Sequence, residues 1–213
     1  MHSTTAPTVL TELKAATAAE HVAIEKSIDW ERRFATREGY GQFLRAWRAF
    51  YAAAEATLAR QPWAEVGYDF EARRKTGWLE YDLAQLHPAV GRVVPDLERF
   101  ATAPRSLGEG GSVPSLPSVP QPANLAEAIG ACYVLEGATL GGQFISRQLN
   151  GLGITPATGG SFYAGYGPLT GERWTAFRQM ATAHCHTPER VASAVAGAKA
   201  MFAALSRWAD QIA

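Results

Sequence analysis

Apolar residues return along the chain at three- and four-residue steps far more often than at two. From Val9 to Ile28, residues Leu10, Leu13, Thr17, His21, Ile24 and Ile28 follow this helical period, so the spacing predicts one amphipathic helix with a histidine in its apolar stripe. Thr36 can cap a second helix, with Tyr40, Phe43, Leu44, Trp47, Tyr51, Ala54 and Leu58 on its inner face and Pro62 beyond its end. A third runs from Asp69 to Leu86 behind the basic cluster Arg73, Arg74 and Lys75, and a short one follows through Val93 to Phe100. Residues 103–123 turn to Pro, Gly and Ser, which bury little apolar surface, so they read as a mobile loop. Asn124 then caps a helix to about Leu149, with Leu125, Ile129, Tyr133, Leu140, Phe144 and Ile145 as candidates for burial. After a glycine-rich passage from Gly151 to Gly167 come a helix around Glu172 to Ala183 and a last one opened by Thr187 and Pro188, whose inner face includes Val191, Val195, Phe202 and Leu205. With no convincing period-two run, the predicted fold class is all-α. The helices on either side of 103–123 do not look self-sufficient, so 1–213 reads as a single domain.

Composition narrows the partners. The chain is 47% hydrophobic and 19% charged, with 20 basic and 20 acidic residues, so no global field draws it to nucleic acid or anionic lipid. No apolar run reaches membrane-spanning length and the polar start lacks a signal-peptide pattern, so a soluble, unprocessed protein is expected. Cys132 and Cys185 form no CxxC pair, which suits a reducing cytoplasm better than a disulfide framework.

Two anomalies point to chemistry. The fifth major segment carries Gly130, Gly137, Gly141 and Gly142, although each glycine inside a helix costs about 1 kcal/mol relative to alanine. Close helix contact or a kink would account for them; so would a flat ligand lying on bare backbone. His21 is the second. A histidine on an apolar helix face is ordinarily a hydrogen-bonded core residue, yet Glu25 stands one turn on, where it could accept from one ring nitrogen and leave the other to a metal. A di-iron carboxylate bundle is excluded, because no histidine has a glutamate three residues before it.

Three segments carry a resemblance. LKAATAAEH, from Leu13 to His21, resembles the first helix of haem oxygenases, and YVLEGATLGGQ, from Tyr133 to Gln143, resembles their distal helix. FYAGYG, from Phe162 to Gly167, followed by Trp174, is similar to the bacterial branch, which includes enzymes paired with bacterial phytochromes. The resemblance implies haem held between the first, proximal helix and a kinked, glycine-rich distal helix. It implies His21 as proximal iron ligand supported by Glu25, with Gly137, Ala138, Gly141 and Gly142 on the catalytic distal face. Lys14, Tyr133 and Arg178 would meet the propionates, and Phe202 would be a pocket aromatic. Ala138 departs from the distal aspartate of the mammalian type, which shifts proton delivery to water and distal-helix backbone; a second basic position of that type is occupied by Trp174. The implied activity is cleavage of haem, at once substrate and cofactor, with O2, giving biliverdin, carbon monoxide and ferrous iron. With no nucleotide-binding fingerprint in the chain, the electrons would come from an external reductase or ferredoxin-type donor, and a phytochrome apoprotein is a candidate receiver of biliverdin. Three other readings stay open: a non-catalytic haem carrier, a thiaminase-like enzyme using Cys132 or Cys185 as nucleophile, and a purely structural helical protein that takes up no haem.

Overall fold

Helix starts coincide with side chains able to cap them. In the computed structural model, which describes residues 8–86 and 117–212, Thr8, Asp29, Thr36, Asn124 and Thr187 each accept a backbone N–H three residues on, at 2.9–3.4 Å. The helices they open are α1 (Val9–Ala16), α3 (Trp30–Arg33), α4 (Arg37–Leu58), α6 (Leu125–Gly151) and α9 (Pro188–Gln211). Between them lie α2 (Ala18–Ser27), α5 (Thr76–Leu86), α7 (Ser161–Ala164) and α8 (Thr170–His184), and no strand occurs among the described residues.

The first predicted helix is divided. At Thr17 the backbone leaves helical geometry (φ −117°, ψ 9°), and the buried Thr17 hydroxyl donates to the Leu13 carbonyl at 2.7 Å. A threonine bonding back to its own turn bends a helix without erasing the apolar period, because Leu13, Ile24 and Ile28 stay buried on either side. The third predicted helix begins later than expected, at Thr76, because residues 71–73 form a 3-10 turn and Arg74 is extended. The expected short helix through Val93 to Phe100, and most of the expected loop at 103–123, lie outside the described residues; 117–124 carry no helix.

The centre of the packing is the pair α6 and α9. A Cβ on Gly130 would stand 1.7 Å from the Ala194 carbonyl oxygen, and one on Gly197 would stand 2.0 Å from that of Glu127. The two helices therefore meet backbone to backbone in both directions, which only glycine permits. α9 also packs against α1 and α2, and Trp208 Nε1 donates to the Ala46 carbonyl at 3.0 Å, joining it to α4. The aromatic face of α4, with Tyr40, Phe43, Trp47, Phe50 and Tyr51, is buried as its spacing predicts. The α6 forecast is only half met. Leu125 and Ile129 are buried and Tyr133 and Ile145 partly so, but Leu140 and Phe144 are 45% and 63% exposed.

Candidate functional site

His21 stands on α2 with its side chain 61% exposed, so it is not a core histidine. Ile24 and Ile28 are buried, and α2 packs against α9, while His21 and Glu25 turn to solvent. The Nδ1 of His21 lies 3.5 Å from Glu25 Oε1, which leaves Nε2 unengaged by that carboxylate. From below, the imidazole meets the ring of buried Phe202 on α9 edge-on, with centroids 6.1 Å apart. Val22, next to it, is 49% exposed.

The four glycines of α6 separate into two kinds. Gly130 belongs to the α9 crossing, and a Cβ on Gly142 would sit 2.4 Å from the Tyr163 carbonyl oxygen of α7, so both are demanded by close helix approach. Gly137 and Gly141 have no heavy atom within 4 Å of where a Cβ would stand. They share a face with Leu140 and Phe144 at three- and four-residue steps, beside exposed Ala138. A stripe of bare backbone bordered by exposed apolar side chains is wasteful in water and suits a flat apolar partner. Gly142 therefore turns towards α7 rather than into this open space.

The flanks add polar groups. Lys14 on α1 and Arg178 on α8 are exposed, without ion-pair partners among the described residues, and α1 touches α8. Tyr133 is half-buried against Trp174, with centroids 5.8 Å apart, and Trp174 stacks on Phe177. Beyond α2, Trp30 meets Tyr163 edge-on at 6.5 Å, tying the end of the His21 helix to α7 and so to Gly142.

Residues that composition and period do not reveal lie beneath the glycine face. Glu136, immediately before Gly137, is 1% exposed and accepts from Lys75, Arg73 and Tyr166. Its signal in the sequence is faint: it is the single charge between Ala128 and Phe144, and Arg73, Arg74 and Lys75 form a run of cations before a helix.

The cysteines offer no nucleophile. Cys132 is buried 3.8 Å from the Tyr68 hydroxyl, and burial pushes its thiol up to about 12; burial likewise raises Cys185 to about 11. A thiolate-based reaction at neutral pH has no support in these surroundings, and the thiaminase-like alternative is set aside.

Comparison with known proteins places the chain in a family. No curated protein matches the chain. A solved structure similar to it is the NO- and CO-bound heme oxygenase from Neisseria meningitidis, 23% identical, with a TM-score of 0.73 over 97% of this chain and 92% of that one; at this identity the likeness establishes the all-α fold. The family model described as Heme oxygenase matches residues 8–211, and the chain belongs to that family.

Proposed function

We propose that the chain takes haem between His21 on α2 and the Gly137–Gly141 stripe of α6, and cleaves it oxidatively to biliverdin, carbon monoxide and ferrous iron. The observation that carries this reading is the pairing of an exposed, Glu25-supported imidazole with the uncrowded backbone of Gly137 and Gly141, both on helices seated on α9.

The residues fit haem. His21 would ligate through Nε2, with Glu25 accepting the Nδ1 proton and Phe202 fixing the ring from below. Gly137 and Gly141 would admit the macrocycle to van der Waals contact with backbone, while Val22, Leu140 and Phe144 would bury the apolar area they now expose. Lys14, Arg178 and the Tyr133 hydroxyl would hold the propionates, leaving the apolar edge inward. Bound haem supplies the iron that takes up O2 and the oxidisable ring. The chain's part is to orient the ring and exclude bulk water from it. Ala138 has no group to move a proton, so water held against the α6 backbone would do so. Gly142 would act indirectly, by letting α7 support α6 from behind. The electron donor would be a separate reductase or ferredoxin-type protein and the product would be available to a phytochrome apoprotein; a cytoplasmic location and a single domain over 1–213 complete the reading.

Hemin titration of the wild type and His21→Ala, followed by aerobic turnover with a reductant, tests this. One hemin per chain, a ferric spectrum altered by the substitution, and bile pigment from the wild type alone are expected. An unchanged spectrum in the variant would remove His21 as ligand. A stable Soret band in air with reductant would leave a haem carrier.

A further inference from the structure

Glu136 is costly where it stands. Its Oε1 receives Lys75 Nζ at 2.5 Å and the Tyr166 hydroxyl at 2.9 Å, and its Oε2 receives Arg73 Nη1 at 3.0 Å. Lys75 and Arg73 are 2% and 6% exposed, so two cations and one carboxylate have left water together. Burial by itself pushes the Lys75 ammonium down, but Glu136 together with the hydroxyls of Tyr166 and Tyr51 more than offsets it and holds the group above its usual range. Buried ion groups of this kind commonly contribute no more stability than apolar residues of similar volume, whereas they fix geometry in several directions at once.

The cluster ties α6 to several other elements just below its open face. Arg73 Nη1 also donates to the Arg173 carbonyl of α8 at 3.1 Å, and its guanidinium lies over the Tyr68 ring at 4.9 Å. Lys75 Nζ donates a second bond to the Arg73 carbonyl at 3.0 Å. The segment is pinned at its other end by buried Glu55 of α4, which accepts the Lys75 backbone N–H at 2.5 Å and the Thr76 hydroxyl at 2.7 Å. Within α6, the Thr139 hydroxyl donates to the Glu136 carbonyl at 2.6 Å, engaging the backbone of the turn that carries Gly137 and Ala138. With no side chain at Gly137, that turn is held from its buried side, by Glu136 and Thr139.

We propose that Glu136 is a positioning residue: anchored by Lys75, Arg73 and Tyr166, it sets the height of the Gly137–Thr139 turn over the haem, and thereby the surroundings of the open coordination position and the meso edge that is attacked. This rests on the haem reading above. The test compares the wild type with Glu136→Gln, which keeps shape and loses charge, and Tyr166→Phe, which removes one donor from a half-buried site and leaves both cations paired. In the haem-free proteins, amide hydrogen exchange at residues 137–140 should quicken at least tenfold relative to Leu149 in both variants. In the hemin complexes, the pH midpoint of the Soret shift should move by at least half a unit in Glu136→Gln and the ratio of biliverdin isomers should change, while hemin affinity stays within threefold. Folded variants with wild-type exchange, midpoint and isomer ratio would overturn the proposal. If Glu136→Gln does not fold, Tyr166→Phe decides by the same readouts. If the wild type takes up no hemin, the haem reading fails, and exchange at 137–140 still decides whether Glu136 holds that turn.

Discussion

Replacing Gly141 with alanine should stabilise the haem-free chain and weaken its hold on haem. An alanine inside a helix is favoured over glycine by about 1 kcal/mol, and at Gly141 the added methyl meets no heavy atom within 4 Å, so nothing opposes that gain. For a chain of this length the expected rise in Tm is roughly 2–4 °C. The same methyl stands where the macrocycle would rest. Crowding a fitted contact costs on the order of 1–2 kcal/mol, which corresponds to a roughly 5- to 30-fold loss of hemin affinity. Gly130→Ala is the opposite control: its Cβ would fall 1.7 Å from the Ala194 carbonyl oxygen and 2.6 Å from the carbonyl carbon, both backbone, so α6 and α9 must part. That variant should melt well below the wild type despite the same propensity gain, and Gly142→Ala, 2.4 Å from the Tyr163 carbonyl oxygen, should fall between. Circular-dichroism melts of the haem-free proteins and hemin titrations check both halves. If Gly141→Ala lowers Tm, its face is covered and the reasoning is wrong. If it raises Tm and leaves hemin affinity unchanged, the haem lies elsewhere.

Asp82 accepts the N–H groups of Ser161 and Phe162 at 2.8 Å each, and burial raises its carboxyl from 3.8 to about 6. Because the folded value lies above the unfolded one, its contribution is fully present below about pH 4 and is lost as pH rises through about 6. Asp82→Asn should therefore gain on the wild type by up to about 3 kcal/mol between pH 4 and 7 in denaturant titrations, and parallel pH profiles would refute this. Iodoacetamide should leave Cys132 and Cys185 unmodified in the folded protein and label both on unfolding, as mass spectrometry will show; rapid labelling of either in the native chain would contradict the raised thiols. Lys14→Ala with Arg178→Ala should weaken hemin binding by about 1 kcal/mol per lost charge and flatten its salt dependence, so an unchanged salt slope in hemin titrations would take the propionates away from these two residues.

What could be read in the sequence was what local chemistry decides. The caps at Thr36, Asn124 and Thr187 and the aromatic face of α4 need only neighbours a turn away, and the structure has them where spacing places them. His21 and Glu25 were legible as a pair for the same reason. The break at Thr17 was not, because the Leu13–Thr17–Ile24 period continues across it while a hydroxyl competes for the Leu13 carbonyl. Nor was the division of the glycines legible: Gly130 answers to Ala194 and Gly142 to Tyr163, partners far along the chain. Leu140 and Phe144 are apolar and sit on a helical period, but that period does not say whether the face they share is covered by protein. Glu136 was hidden for a related cause, since the cations that justify a buried carboxylate come from a segment more than sixty residues earlier.

The reciprocal glycine contact between α6 and α9 makes the two walls of the site unequal. Two backbones locked at Gly130 and Gly197 cannot slide past each other by a fraction of a residue, so the glycine wall is a fixed rail. The His21 helix packs on α9, where the His21 ring meets Phe202, and is articulated from α1 at Thr17. On the proposed placement of haem, admitting a ring as large as a porphyrin and letting go of its opened product would therefore fall to α2. Changes in Ile24 or Thr17 would retune how readily the cleft exchanges its contents while leaving the glycine face where it is.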